Sequence, residues 1–237
     1  MISFIVPAYN EAQCLPATLA ALHAAGQALG EPYEIVVADD ASTDATAALA
    51  QQQGAVLVSV ANRQIAATRN AGARAARGDW LIFVDADTLV NEAVVRAAVQ
   101  AMRSGAVGGG AGMRFDEPAP AYARWLLRGV VRLFRATGYA AGCFLFCTRT
   151  AFVAVGGFDE RYYGAEELVM SRALKRQGRF VVLKEAVITS ARKLRTYSAR
   201  ETLQLLAGLA RRGPQAVKQR AGMAFWYERR DDPRKDA

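Results

Sequence analysis

Asp85 and Asp87 stand two residues apart, directly after the apolar run Trp80-Leu81-Ile82-Phe83-Val84. Carboxylates are costly to bury unless they are paired or bind a metal, so an Asp-x-Asp ending a buried strand belongs where that strand surfaces. Hard carboxylate oxygens there suit Mg2+ or Mn2+, which complete their shell with substrate phosphates. The plainer reading of this pair alone is a strand end that caps a helix opening near Asn91. Three other polar stretches change the balance. Pro7-Ala8-Tyr9-Asn10-Glu11 follows one apolar run, Asp39-Asp40-Ala41-Ser42-Thr43-Asp44 follows a second, and Gly164-Ala165-Glu166-Glu167 opens a late helix. Each has a local explanation: Ser42, Thr43 or Asp44 as a helix cap, and the glutamates as favourable charges at a helix N-terminus. All four in one chain, in this order, argue for a shared site.

The elements that must position them read as alternating strand and helix. Ile2–Val6, Glu34–Ala38, Ala55–Val60 and Trp80–Val84 are short apolar runs of strand type. Between them lie helical stretches at Glu11–Leu29, at about 42–53, and at Gln64–Arg77, with Asn91–Arg103 after the Asp-x-Asp. Such an order with short connections predicts an α/β fold, a mostly parallel central sheet with helices on both faces. Ligands of open α/β sheets bind at the carboxyl ends of the strands, which puts the first three acidic stretches on one rim. The second half is less regular. Ala106–Phe115 is Gly-rich and extended, Gly142–Thr148 and Phe180–Leu183 read as strands, and Ala165–Gln177 as a helix ended by Gly178. Ala119–Ala136 reads as an amphipathic helix with Arg124, Arg128, Arg132 and Arg135 along one face, and Thr202–Ala221 as a final basic helix. The expected organisation is one domain over 1–190, with a nucleotide-binding half (1–103) and an acceptor half (104–190), and a basic helical extension over 191–237 packed on it.

The 237 residues are 52% hydrophobic and 22% charged, values of a globular chain. No run approaches the roughly 20 apolar residues of a membrane span. The N-terminus lacks a basic region and a long apolar core, so it reads as a strand and not a signal peptide. Cys14, Cys143 and Cys147 form no disulfide framework, as a reducing cytoplasm would suit. The single histidine, His23, reads as a surface or packing residue. Of the net charge of +8, an excess of seven lies between Arg192 and Ala237, where twelve Lys/Arg face five Asp/Glu. A basic tail on a near-neutral body suggests an anionic partner. The expected place is the cytoplasm, with peripheral attachment to the inner face of the cell membrane left open.

The stretches IVPAYNE, EIVVADDASTDAT, ATRNAGARAARGDWLIFVDADT and VGGFDERYYGAEELVMSRALKRQGR lie between residues 3 and 179. In combination and order they resemble the family 2 glycosyltransferases, inverting enzymes with the GT-A, Rossmann-like nucleotide-sugar fold. Residues 190–237 match nothing firmly, although TSARK (189–193) is similar to a basic stretch of some members. The resemblance implies that Pro7 and Tyr9 wall a nucleobase pocket and that Asp40 accepts a hydrogen bond from the base. It places Asp85 near the ribose or diphosphate, with Glu11 and Ala86 beside the donor, and gives Asp87 the metal, Mg2+ or Mn2+. Arg69 is implied close to the nucleotide, with a structural role on its helix as the alternative. Glu167 takes the catalytic-base position, but Glu166-Glu167 stands where the family carries Glu-Asp. That extra methylene keeps Glu166 a competitor, since a misplacement of about 1 Å can cost about a hundredfold. Arg192 and Lys193 are candidates for a clamp on the diphosphate, with a solvated basic loop as the alternative.

The implied reaction moves a sugar from a nucleoside-diphosphate sugar, uracil ahead of guanine as its base, to a hydroxyl or lipid-phosphate acceptor. Membrane-surface binding through the Arg stripe and the basic tail is a further expectation, and no nucleic-acid motif is present. A sugar-phosphate nucleotidyltransferase would open on a Gly-rich, Arg-bearing loop, and a dehydrogenase on Gly-x-Gly-x-x-Gly. VPAYNEAQC is neither. The alternative that stands is a catalytically degenerate nucleotide-binding, or basic membrane-surface-binding, protein of the same fold.

Overall fold

A computed structural model describes residues 1–116, 129, 139–140, 142–192, 196 and 217–220. The Arg stripe of 124–135, Lys193 and most of the 202–221 helix lie outside the described residues. In chain order the elements are β1 (Ile2–Ala8), α1 (Leu15–Leu29), β2 (Tyr33–Asp40), α2 (Thr46–Gln52), β3 (Val56–Val60), α3 (Ile65–Ala75) and β4 (Trp80–Val84). There follow β5 (Thr88–Leu89), α4 (Glu92–Arg103), β6 (Gly108–Phe115), β7 (Phe144–Thr148), α5 (Arg149–Ala154), α6 (Glu166–Gln177) and β8 (Phe180–Thr189).

Among the described residues, eight strands form one sheet in the order β3-β2-β1-β4-β7-β6-β8-β5. The first four are parallel, with Phe4 opposite Ile35 on one side and Ile82 on the other. Side chains of a strand alternate between faces, and β1 and β4 divide their apolar residues accordingly. Ile2, Phe4, Val6, Ile82 and Val84 join Leu15, Leu19, Leu22, Val94, Val95 and Val99 of α1 and α4 in one core. Ile5, Leu81 and Phe83 join Ala73 of α3, Phe152 of α5, and Met170 and Leu174 of α6 in the other. Burying each large apolar side chain contributes about 1.5–3 kcal/mol, so both helical layers are anchored on the two central strands.

Beyond β4 the sheet is mixed. β7 runs antiparallel to β4, with Phe146 opposite Ile82, and β6 runs antiparallel to β7. β8 is parallel to β6, and β5 closes the edge antiparallel to β8. The glycines of β6 answer to this packing: a Cβ on Gly109 would collide with the Val181 carbonyl and the Phe146 ring. Strand β8 continues past Leu183 to Thr189, further than its apolar run foretells. Strand β5 is two residues long, too short for any periodicity, and it has a consequence for the site. Between the end of β4 and Thr88 the chain carries Asp85 and Asp87 across to the far edge of the sheet, where Thr88 pairs with Thr189.

Candidate functional site

The rim loops after β1 and β2 are laced together. The Asn10 amide donates to Ser42 Oγ at 2.8 Å, the Thr43 amide donates to Asn10 Oδ1 at 2.7 Å, and the Glu11 amide donates to Thr46 Oγ1 at 2.8 Å. Ser42 and Thr43 therefore do not cap α2. That helix starts at Thr46, and Asp44 accepts from the Thr46 amide at 3.0 Å. Among the described residues, four that are not glycine adopt positive φ: Asn10 (55°), Ala41 (57°), Arg63 (52°) and Ala165 (57°). Each costs on the order of 1–3 kcal/mol. Asn10 and Ala41 follow β1 and β2 and Ala165 precedes α6, three of the four places that carry candidate residues, and Arg63 follows β3.

Where β1 meets the rim, Pro7 lies within the strand and is buried. The Arg63 guanidinium lies over the Tyr9 ring, 4.3 Å from its centroid. Asp40 is 6% exposed and spends both carboxylate oxygens on the start of α3. Oδ1 accepts from the Arg63 amide at 2.9 Å, and Oδ2 from the Gln64 amide at 3.2 Å and Thr68 Oγ1 at 3.0 Å. Asp39, on the opposite face of β2, has a buried Oδ1 with no hydrogen-bond partner among the described residues. Asp39 and Arg63 stand outside the residues that the sequence marks: the doubled aspartate is the only signal for the first, and nothing local signals the second.

The Asp-x-Asp loop is pinned at its backbone. The Asp85 amide donates to the Cys143 carbonyl at 3.3 Å, Thr18 Oγ1 donates to the Ala86 carbonyl at 2.8 Å, and the Ser190 amide donates to the Asp87 carbonyl at 3.2 Å. Ala86 thus points its carbonyl at α1 while the two carboxylates flank it. Arg69, 3% exposed, reaches this loop from α3. Its Nη2 donates to Asp85 Oδ1 at 2.8 Å and to the Gly142 carbonyl at 3.1 Å, and its Nη1 donates to Glu166 Oε1 at 2.5 Å. Burial alone would pull the Arg69 guanidinium down. The charges of Asp85, Glu166 and Glu167 outweigh it and hold the group above the usual arginine value.

Glu166 and Glu167 are the first two residues of α6, and successive helical side chains diverge by about 100°. Glu166 turns inward to Arg69 and is 5% exposed. Glu167 lies against Gly142 and keeps a partly exposed flank. Burial, followed by the charge of Glu166, pushes Glu167 up to about 8, against the opposing pull of Arg69. That places its proton exchange near neutrality, where a general base works best. The preceding loop is tied to α3, because Gln64 Nε2 donates to the carbonyls of Glu160 at 3.0 Å and Tyr162 at 2.7 Å. Residues 217–220 reach the same loop: the Tyr163 amide donates to the Val217 carbonyl at 2.7 Å, and Lys218 stands 5.2 Å from the Tyr162 ring centroid.

At the other end, Arg192 Nη2 bonds Glu11 Oε1 at 2.6 Å and comes within 3.9 Å of Asp87 Oδ2. The second oxygen of Glu11 is buried without a hydrogen-bond partner among the described residues. The carboxylates of this region offer hard oxygen donors, as Mg2+ or Mn2+ requires. No group of three or more His, Cys, Asp or Glu forms a closed metal cage among the described residues. A cation held by few protein oxygens and completed by phosphates fits this donor set. His23 takes no part, bonding Tyr33 Oη at 3.0 Å and the Gln53 carbonyl at 2.9 Å in the packing of α1.

The glycosyl transferase family 2 profile matches residues 3–158. The chain belongs to this family. The undecaprenyl-phosphate 4-deoxy-4-formamido-L-arabinose transferase of Pseudomonas paraeruginosa is 36% identical over 166 residues, covering 65% of this chain and 48% of that protein. The chain thus spans about half the length of the curated relatives it matches. Among solved structures, the mannosyltransferase PcManGT of Pyrobaculum calidifontis in complex with GDP-Man and Mn2+ superposes with a TM-score of 0.67 at 22% identity, over 94% of this chain and 69% of that one. S. aureus TarS (residues 1–349) in complex with UDP-GlcNAc gives 0.62 at 20% identity, over 92% and 69%. At these identities the likeness establishes the GT-A fold of this family 2 chain. No helix among the described residues is long and apolar enough to cross a membrane.

Proposed function

We propose that this family 2 chain transfers a sugar, with inversion, from a nucleoside-diphosphate sugar to an acceptor oxygen, with Glu167 as the base. The observation that carries the reading is the buried Arg69, which joins Asp85 on the donor side to Glu166 on the acceptor side. Both halves of an in-line displacement are thereby held on one framework. The acceptor oxygen attacks the anomeric carbon, and the proton carried by a hydroxyl or a singly ionised phosphate passes to the Glu167 carboxylate; a fully ionised phosphate attacks without a proton to transfer. The bond from that carbon to the diphosphate breaks, and its electron pair leaves with the diphosphate. Glu166, spent on Arg69, is the bystander of the pair. Tyr9, with Arg63 over its ring, supplies the flat wall for the base, and Asp39 and Asp40 the polar edge. Asp87 would hold Mg2+ or Mn2+, which when bound neutralises charge on the leaving diphosphate. Arg192, already beside Asp87, adds a cation on that side.

For the acceptor we favour a lipid-linked phosphate, with a simple hydroxyl second. Two facts support it: the relative from Pseudomonas paraeruginosa is named for undecaprenyl phosphate, and an excess of seven positive charges follows Arg192. UDP stands ahead of GDP as the donor nucleotide. The test is a thermal-shift panel of UDP and GDP, each with Mn2+ or EDTA. A ligand that binds the folded state alone stabilises it by about 2.7 kcal/mol at a hundredfold excess over Kd. UDP with Mn2+ should raise Tm, and EDTA or Asp87→Ala should abolish the rise. No response to either diphosphate would overturn the reading.

A further inference from the structure

We propose that Gly142, Arg69 and Glu166 are positioning residues that seat the longer side chain of Glu167, with Gly142 supplying the space that its extra methylene needs. The inference rests on the reading of Glu167 as the base, and it explains how this chain carries a glutamate there. Three observations on different elements converge. A Cβ built on Gly142 would stand 3.3 Å from both Cδ and Oε1 of Glu167 and 3.6 Å from its Cγ. The two 3.3 Å distances are tighter than ordinary contact, so a side chain at 142 would force the Glu167 carboxyl to give by a few tenths of an ångström. Second, the Gly142 carbonyl is fixed by Arg69 Nη2 at 3.1 Å, so the backbone that makes this room is itself anchored. Third, the same guanidinium grips Glu166 at 2.5 Å, which sets the rotation of the first turn of α6 and directs Glu167 towards Gly142. The left-handed backbone of Ala165, at φ 57°, turns the chain sharply into that first turn.

Among the described residues the charged groups acting on Glu167 are Glu166, Arg69 and Asp85. Glu166 and Asp85 raise the proton affinity of Glu167, and Arg69 lowers it. The frame therefore governs both where the carboxyl sits and when it is ionised.

Two measurements test this without any sugar donor. The first is a thermal double-mutant cycle on Gly142→Ala and Glu167→Asp, since contacting residues couple and separate ones add. Shortening Glu167 should relieve the crowding, so the double variant should melt higher than Gly142→Ala alone. Strict additivity would overturn the claim that Gly142 makes room for Glu167. The second is an infrared pH titration of the Glu167 carboxyl band, assigned by its loss in Glu167→Gln. Glu166→Gln should lower the Glu167 midpoint by roughly one pH unit, about tenfold in the acid constant, and Arg69→Lys, which cannot span both carboxylates, should shift it as well. A midpoint unmoved in both variants would overturn the role of the ion pair. UDP and Mn2+ binding, measured on the same variants, reports separately on the function reading and keeps the two failures distinct.

Discussion

The two adjacent glutamates show how about 100° of helical rotation separates two identical side chains. Glu166 is fixed in an ion pair, whereas Glu167 faces a glycine and keeps part of its surface open. The doubled aspartate of β2 behaves likewise: Asp40 binds the opening of α3, and Asp39 on the other face keeps one buried oxygen without a partner among the described residues. The environment of Glu167 yields a pH signature. Burial and Glu166 hold it near 8, above the ordinary glutamate value of 4.5. The folded state binds this proton more tightly than the unfolded one, so its contribution to stability is full below 4.5 and is lost as pH rises through about 8. Glu167→Gln, a neutral mimic, should match the wild type in Tm near pH 4 and melt above it at pH 8.5, a comparison calorimetry can make. A base role adds a loss of about 10²–10⁴-fold in transfer for the same variant.

Helix α3 is the element on which the rim is assembled. Its Gln64 and Asn70 hold the loop before α6, its Thr68 and opening amides hold Asp40, and its Arg69 holds Asp85 and Glu166. Buried polar side chains are ordinarily a cost, and here each is satisfied by partners on other segments of the chain. Asn70 shows the scale of that stake. Its Nδ2 donates to the Phe158 carbonyl at 2.9 Å, and its Oδ1 accepts from the Phe158 amide at 2.9 Å. Asn70→Ala strands both backbone groups, and an unsatisfied buried group costs about 1–3 kcal/mol. We expect a loss of about 2–4 kcal/mol in chemical denaturation, with faster amide exchange confined first to residues 156–163. Uniform exchange across the sheet would instead mean that the loop is held by other contacts.

At the scale of the whole molecule, the sheet brings together residues far apart in sequence because its direction changes beyond β4. The chain leaves Asp87 for the outer edge strand β5, and β8 returns beside it to deliver Ser190 and Arg192 to Asp87. Net charge acts on the same scale. The proposed lipid-phosphate acceptor implies that the basic excess works at an anionic surface, where each basic residue contributes about 1 kcal/mol within a Debye length. The chain should co-sediment with phosphatidylglycerol-containing vesicles at low salt and be released at about 0.5 M NaCl, where screening shortens that length. Equal binding to phosphatidylcholine vesicles would remove charge as the cause.

By itself the sequence determined the strand–helix alternation of the first half, the mostly parallel character of its sheet and the rim on which the Asp-x-Asp stands. These are properties of local periodicity and short connections, which leave few ways to pack. Its ordered motifs also placed the chain in its family. Only the tertiary structure decided the antiparallel insertion of β7, the edge strand β5 and the use of Ser42 and Thr43 as ties to Asn10. It alone paired Arg69 with Glu166, 97 residues away, and set Gly142 against Glu167. Contacts of that kind depend on which faces meet across the sheet, and no window along the chain contains both partners.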